Sequence, residues 1–435
     1  MSKMSGDYQI RRFEPAAKNE PDYDAAVAWS RAVAFGFHEE SKSETRIDRG
    51  LAMSRADHSV FTGVYQTSEP AAYSLSAEVP VATFATWRKT LNVGFGKLVD
   101  AHLISAVTVR TSHRRRGLLR QMMSEDLALA KDDGVAIAAL TASEASIYGR
   151  FGFGVATSEQ SITVDTSARF KLNHAPEGTV EVADPKILLD LAPQIFEQQH
   201  RHLPGSIDRQ ESYRQYVSGS VGGDGADGDG GPDAKIKAAL HYASNGDVDG
   251  YVSYKFGGWE TEPATMEIVD LVAANSAAYL ELWQYLGAID LVERVKWSGV
   301  SVDNPLTWAL EDPRCVKGSD PRDMLWLRIL DIQKALEERQ FPADGTLVLK
   351  VRDALGLTPG TFSLDVREGH ATVTATDAAP DLELDISVLS SIYLGAVHPA
   401  SLVAAGRIQE NQQGAAFLAA QMFAVERPAF CPTHF

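Results

Sequence analysis

The sequence predicts a mixed α/β (α+β) protein built in three units, and three observations lead there. At 435 residues the chain is longer than one hydrophobic core normally serves, so two to four domains are expected. Strand-like runs in the first third lead into a helix through a single Arg-Gly turn, and the same strand–turn–helix order returns in the middle. The last third mixes further strands with helical stretches. The expected boundaries are 1–170, 171–320 and 321–435.

In the first unit a helix over 23–40 is expected because Trp29, Val33 and Phe37 recur at i, i+4 and i+8 on one face. Strand-like runs follow at 60–66, 79–91 and 98–110. The last passes through Thr111-Ser112-His113 and Arg114-Arg115-Arg116-Gly117 into a helix over 118–131, which Gly134 ends at a C′ position. A short apolar strand (135–140), a turn of small residues and the cluster Tyr148-Gly149-Arg150-Phe151-Gly152-Phe153-Gly154 come next. A strand at 161–164 is expected to close the unit.

The second unit holds the low-complexity stretch 218–234, whose glycines and aspartates bury no core and predict a mobile surface loop. It fails as a calcium loop: Asp227 and Asp229 are suitably spaced, but Ala238 stands where the twelfth-position Glu belongs. A strand at 266–273 and a helix at 276–288 are joined by Ala274-Asn275, with no arginine or glycine cluster. The unit therefore resembles a degenerate copy of the first that keeps the scaffold and lacks the Arg-Gly turn. The third unit is expected to open with a strand within 323–331, whose Asp331 caps the following helix. Strands at 346–351, 361–366 and 371–375 follow, the last two joined through Glu368-Gly369. Helical stretches at 386–395, 399–405 and 414–425 precede an extended tail.

Composition narrows the function. A formal net charge of −17 repels phosphate backbones and attracts cations, which argues against general nucleic-acid binding and suits a small cationic partner. No apolar run approaches the ~20 residues of a membrane span, and the N-terminal stretch has no apolar core of a secretory signal. Cys315 and Cys431 lie far apart and lack metal-ligand spacing, which fits a reducing cytoplasm without a structural zinc site. His200-x-His202 lacks a third ligand and is expected to be a surface pair. No metal is expected.

One basic island stands out: five arginines and no acid between Arg110 and Arg120. It falls where a strand hands over to a helix, so free backbone N–H groups and the positive end of the helix dipole converge on it. Gly117 allows a phosphate close to the backbone. These motifs carry a resemblance. Arg114-Arg115-Arg116-Gly117-Leu118-Leu119 is similar to the cofactor loop of the GNAT acetyltransferase superfamily, departing at its last place, where Leu119 replaces a small residue. Together with Val107-Thr-Val-Arg-Thr-Ser-His-Arg-Arg-Arg-Gly-Leu-Leu-Arg120, Ala139-Leu-Thr-Ala-Ser-Glu144, Ile147-Tyr-Gly-Arg-Phe-Gly-Phe-Gly154 and Leu325-Trp-Leu-Arg-Ile-Leu-Asp331, the chain resembles the Eis-type branch over nearly its full length.

That resemblance implies tandem GNAT-like domains followed by a sterol-carrier-like domain, a homohexamer, and acetyl-CoA-dependent acetylation of amines, including those of aminoglycosides. It places cofactor contacts on Val107, Thr108, Val109, Arg115, Arg116, Gly117, Leu118, Leu119, Arg120, Ser143 and Glu144. It makes Tyr148 the general acid and the main-chain carboxylate of Phe435 the base. The residue chemistry agrees. A phenol of pKa near ~10 carries a proton for a departing thiolate at neutral pH, and a backbone N–H near Val107 can hold an oxyanion. Pro428 and Pro432 stiffen the tail, while Phe430 and Phe435 offer anchors. A carboxylate of reference pKa about 3.5 is a weak base, so partial desolvation, a bridging water and an orienting role all stay open. His434 stands equally as a lining of the acceptor pocket or an exposed side chain. The alternatives are acetylation of protein lysine or peptide amines, which Glu39, Glu40, Glu44 and Asp48 would equally suit, and a non-catalytic lipid-binding or assembly protein.

Overall fold

The computed structural model describes residues 7–223 and 230–435. Its first stretch comprises β1 (Tyr8–Phe13), α1 (Tyr23–Gly36), α2 (Glu44–Ala56), β2 (Val60–Gln66), β3 (Ala82–Asn92), β4 (Leu98–Val109), α3 (Leu118–Asp132), β5 (Ile137–Thr141), α4 (Ala145–Tyr148), β6 (Gly154–Val155) and β7 (Ser158–Asp165). The middle comprises β8 (Thr179–Ala183), α5 (Leu188–His202), α6 (Glu211–Val217), β9 (Lys237–Tyr242), β10 (Val248–Phe256), β11 (Thr265–Ala273), α7 (Ser276–Gly287), β12 (Arg294–Ser301), α8 (Leu306–Ala309) and β13 (Val316–Asp323). The last comprises β14 (Leu325–Ile329), α9 (Ile332–Glu338), β15 (Gly345–Arg352), β16 (Gly360–Arg367), β17 (His370–Ala375), β18 (Leu382–Asp385), α10 (Ile386–Ile392), α11 (Pro399–Ala404), β19 (Ile408–Glu410) and α12 (Ala415–Met422).

Local signals hold where they are strong. Gly134 ends α3 at φ +78, Asp331 accepts a hydrogen bond from Lys334 N at 3.0 Å, and Glu368 and Gly369 both take positive φ in the β16–β17 turn. The first helix stops earlier than its periodicity suggests, because His38 turns to φ +58. Helix α2, absent from the sequence reading, buries only Ile47 and Leu51, too sparse a stripe to stand out. Asp227 and Asp229 of the proposed loop lie outside the described residues.

Three sheets result, ordered β1-β2-β3-β4-β5-β14-β6, β13-β7-β12-β11-β10-β9-β8 and β17-β16-β15-β18-β19. Two strands therefore change place. The strand at 161–164 does not close the first sheet: it belongs to β7, which sits between β12 and β13 in the second. The strand within 323–331 does not open the third sheet: β14 sits between β5 and β6 in the first. All five residues of β14 are buried, as an interior strand covered on both faces requires, while Ile162 and Val164 of β7 join the second unit's core.

The third unit docks on the first through β14. The Arg328 side chain is fully buried: Nε donates to Phe151 O at 2.8 Å, and Nη2 meets both oxygens of Asp353 at 2.7 and 2.8 Å. Helix α10 lies so close that a Cβ on Gly154 would stand 1.8 Å from Ser387 O, and one on Gly152 would stand 2.6 Å from Arg328 Nε. Those two glycines of the aromatic cluster are there for packing. Removing Arg328 strands a buried carboxylate, so Arg328→Ala should cost about 3–5 kcal/mol of stability. Denaturant unfolding with an unchanged midpoint would contradict this docking.

Candidate functional site

Strands β4 and β5 pair in parallel only from Ala101↔Ile137 to Ile104↔Leu140. Beyond that point β4 bulges: its register with β3 slips between Thr83↔Thr108 and Ala85↔Ser105, and Ala106 takes φ +53. The strands part into a wedge, and Val107, Thr108 and Val109 have no partner on the β5 side. Only their backbone can serve a ligand there in the case of Thr108, whose side chain is buried with its Oγ1 2.7 Å from Thr83 Oγ1.

At the end of β4 the arginine turn leads into α3. Arg115 is left-handed at φ +63, and Gly117 takes φ +79 at the N-cap. A Cβ on Gly117 would meet no atom within 4 Å, so the glycine is needed for its dihedral angle and leaves its outer side open. No side chain caps α3, and its first internal bond is Gln121 N to Gly117 O at 3.0 Å. Uncapped amides, alternating left-handed residues and the helix dipole together form an anion cradle. Leu118 is buried beneath it and Leu119 half-buried. Arg115 and Arg120 are exposed, without a side-chain partner among the described residues. Arg116, also exposed, braces the turn as well, donating to Tyr8 Oη at 2.5 Å and Ser112 O at 3.2 Å. Arg110 is also structural, donating to the carbonyls of Val79 and Pro80. Burial, Arg116 and Arg110 push the His113 imidazole below its usual range, so it adds no charge at neutral pH.

Across the wedge β5 ends at Thr141, and Ser143 and Glu144 lie exposed before α4. Tyr148, at the end of α4, is buried with its ring edge-on to Phe153, centroids 6.3 Å apart. Burial pushes its phenol above the ordinary value of 10; a hydrogen bond with Ser143 opposes this and Glu144 reinforces it. The hydroxyl thus keeps its proton at neutral pH.

The tail reaches the same wedge. Phe430 N donates to Pro204 O at 2.8 Å, Thr433 Oγ1 to Ile207 O at 2.7 Å, and His434 N to Tyr213 Oη at 2.6 Å. Thr141 Oγ1 donates to the main-chain oxygen of Phe435, whose ring sits edge-on to Trp87. A cavity of about 330 Å³ joins Val107, Thr141, Ser143, Tyr148, His434 and Phe435. His434 is about half exposed on its wall, with Nε2 3.1 Å from Oε2 of Glu159, a residue 1% exposed. Arg322 Nε donates to the other oxygen of Glu159 at 2.7 Å. Burial pushes the Glu159 carboxyl up, but His434 and Arg322 outweigh it and hold the group below the usual range.

The sequence reading missed Thr141, Glu159, Arg322 and Tyr213. Glu159 left one signal, an acid at an inward position of a strand. The reading of His200 as a surface residue is corrected: it is fully buried, with Nε2 2.9 Å from Thr90 Oγ1 and Nδ1 3.0 Å from Ser206 Oγ. Only His202 is exposed. Among the described residues no group of three or more His, Cys, Asp or Glu is placed to hold a metal.

A splayed parallel strand pair with an anion cradle at the following helix is the cleft of an acetyltransferase, and sequence comparison agrees. Residues 24–156 and 205–329 each match an acetyltransferase (GNAT) domain family, and residues 332–432 match the sterol carrier protein domain. An uncharacterized N-acetyltransferase of Streptomyces avermitilis is 35% identical over 364 residues, 82% of this chain and 86% of that one. N-acetyltransferase Eis of Mycobacterium tuberculosis is 34% identical over 316 residues, 70% of this chain and 73% of that one. The crystal structure of Eis1 from Mycobacterium abscessus matches with a TM-score of 0.77 at 25% identity, over 98% of this chain and 100% of that one. A GCN5-related N-acetyltransferase from Anabaena variabilis shares the fold, with a TM-score of 0.78 at 19% identity over 98% of this chain and 100% of that one. The chain belongs to the Eis-type family of GNAT N-acetyltransferases, with two GNAT domains followed by a sterol-carrier-like domain.

The two kinds of arginine separate experimentally. Arg115→Ala should weaken acetyl-CoA binding roughly tenfold or more, a charge-assisted contact being worth about 1.5–3 kcal/mol, with the melting temperature unchanged. Arg110→Ala should lower the melting temperature. Equal acetyl-CoA affinity in Arg115→Ala and the parent, measured by calorimetry, would remove Arg115 from the cradle.

Proposed function

We propose that the protein transfers acetyl from acetyl-CoA to a primary amine of a small cationic acceptor, with Tyr148 as general acid and the Phe435 main-chain carboxylate as base. One observation carries this reading: Thr141 holds the Phe435 main-chain oxygen in the cavity that Tyr148 and the β4 bulge also line. The residues around the wedge fit acetyl-CoA. Its pyrophosphate suits the cradle of Arg115, Arg116, Gly117, Leu118, Leu119 and Arg120, and its pantetheine arm suits the unpaired edge of Val107, Thr108 and Val109, with Ser143 and Glu144 at the opposite lip.

The acceptor ammonium gives one proton to the Phe435 carboxylate, which frees the nitrogen lone pair to bond the acetyl carbon in a tetrahedral adduct. Charge developing on the thioester oxygen is held by a backbone N–H at the β4 bulge. As the carbon–sulfur bond breaks, the Tyr148 hydroxyl gives its proton to sulfur, and the second proton, shed by the nitrogen as the neutral amide forms, restores the phenol through solvent. Phe153, edge-on to the phenol, holds its ring in place for that transfer. The carboxylate is a weak base, so its position beside the ammonium contributes as much as its basicity.

Aminoglycosides are the acceptors that family resemblance suggests, and the net charge of −17 favours their approach. A small amine is preferred over a lysine on a protein surface because Tyr148 is buried. The lipid-carrier alternative has less support: Leu349, Leu364, Val373, Leu384 and Tyr393 of the third unit are fully buried in one packed core.

Tyr148→Phe should release thiol from acetyl-CoA about 10²–10⁴-fold more slowly in the presence of amines, with acetyl-CoA affinity and melting temperature retained. Turnover at the parent rate would return Tyr148 to a packing role.

A further inference from the structure

The second GNAT domain repeats the wedge of the first: β11 and β12 pair in parallel from Thr265↔Arg294 to Ile268↔Trp297 and then part. β11 carries one extra residue, Val269, against β10 just after the last pair, as β4 does against β3. The wedge ends differently, because Asn275 Oδ1 accepts from Ala278 N at 2.9 Å and caps α7. Once free of β11, strand β12 serves another residue.

Its register with β7 slips between Trp297↔Ile162 and Val300↔Gln160, so β12 has one residue more than β7 there. On the other side of β7, β13 slips the same way between Ser319↔Ser161 and Arg322↔Glu159. The two bulges hold Gly299 at φ +70 and Asp320 at φ +51. A bulge re-aims the side chains beside it. Both flank Glu159, whose partners across the sheet are Ser301 and Arg322.

Each bulge acts on that buried carboxylate. The β13 bulge brings Arg322 onto Oε1, with Nε at 2.7 Å and Nη2 at 2.6 Å. The β12 bulge clears the space at Oε2: a Cβ on Gly299 would stand 3.3 Å from Oε2 and 3.1 Å from His434 Nε2. The His434 ring fills that space, Nε2 lying 3.1 Å from Oε2, and no other donor reaches this oxygen among the described residues. A carboxylate only accepts, so Nε2 carries the hydrogen of the contact. Arg322 alone balances the charge of Glu159, which leaves His434 as the use of the second bulge.

His434 is then held at backbone and side chain. Its N donates to Tyr213 Oη at 2.6 Å, and its carbonyl accepts from Tyr213 Oη and Gln210 Nε2 at 3.4 Å each. The next residue is Phe435, where Thr141 takes one main-chain oxygen and Trp87 the ring. The peptide that His434 supplies sets the direction of the carboxylate between those two contacts.

We propose that Glu159 is a positioning residue for acetyl transfer: through the His434 ring it fixes the direction of the Phe435 carboxylate. This rests on the reading of Phe435 as the base.

The test combines amide exchange of the tail with thiol release from acetyl-CoA, using kanamycin as the amine. Glu159→Gln and His434→Ala should each speed exchange at His434 and Phe435 about tenfold, with Phe430 unchanged. Each should lower kcat about 10–10²-fold at constant KM for acetyl-CoA and for the amine. The double variant should be no slower than the slower single one. His434→Gln, whose amide nitrogen reaches as far as Nε2, should keep most of the parent rate. Unchanged exchange, multiplying losses, a raised amine KM at unchanged kcat, or a His434→Gln as slow as His434→Ala would each overturn the role of Glu159. A form extended beyond Phe435 keeps the two claims apart. If it turns over fully, the base reading falls and this inference with it. If it is crippled while Glu159→Gln turns over at the parent rate, the base stands and only the positioning role is lost.

Discussion

The exchange of β7 and β14 between the two GNAT sheets is the constraint on which the rest of the structure depends. Each strand is hydrogen-bonded on both sides within the other domain's sheet, β7 to β12 and β13, β14 to β5 and β6. Pulling either sheet away would leave two ladders of buried backbone groups unpaired, at roughly 1–3 kcal/mol for each group. The two wedges are therefore held in one fixed relation. The exchange also delivers side chains. Glu159 rides on β7 to meet His434, and Arg328 rides on β14 to meet Asp353 of the third domain.

From that frame the third domain acts as a mount for the tail. Its α10 presses on Gly154, and Arg339 collects the carbonyls of Tyr393, Phe423 and Ala424 where the last helix ends. Arg339 is buried without a carboxylate partner among the described residues, and burial pushes its guanidinium down to about 10, still charged at neutral pH. From there Pro204, Ile207 and Tyr213 of the middle domain take over the backbone. Tyr213 is itself stacked on Arg209, whose charge Asp270 holds. A segment fixed at so many points behaves as part of the core.

The two domains share a backbone device and differ at its end, which explains what the sequence could and could not tell. The Arg114–Gly117 turn and the Ala274-Asn275 turn are local, so the presence of a cradle in one domain and its loss in the other were legible from residue types alone. So were the Asp331 cap, the Gly134 stop and the Glu368-Gly369 turn. The strand exchange was not legible, because the apolar patterns of β7 and β14 specify burial without naming the sheet that buries them. His200 looked exposed because its partner Thr90 lies 110 positions away, and only the turn after α5 brings Ser206 back onto its ring. Thr141 lay inside a quoted motif, yet its contact with Phe435 spans nearly 300 positions (|i−j| is 294) and leaves no local trace.

The placement of the Phe435 carboxylate is the central claim, and thiol release from acetyl-CoA tests it most directly. The comparison is between the parent chain, a form extended by a few residues beyond Phe435, and Phe435→Leu. The extension keeps every tail anchor from Phe430 to His434 and moves only the charge, a displacement that can cost on the order of 10²-fold in rate. The account predicts that loss in the extended form, much of the activity kept in Phe435→Leu, and equal acetyl-CoA affinity in all three. Full turnover by the extended form would contradict it.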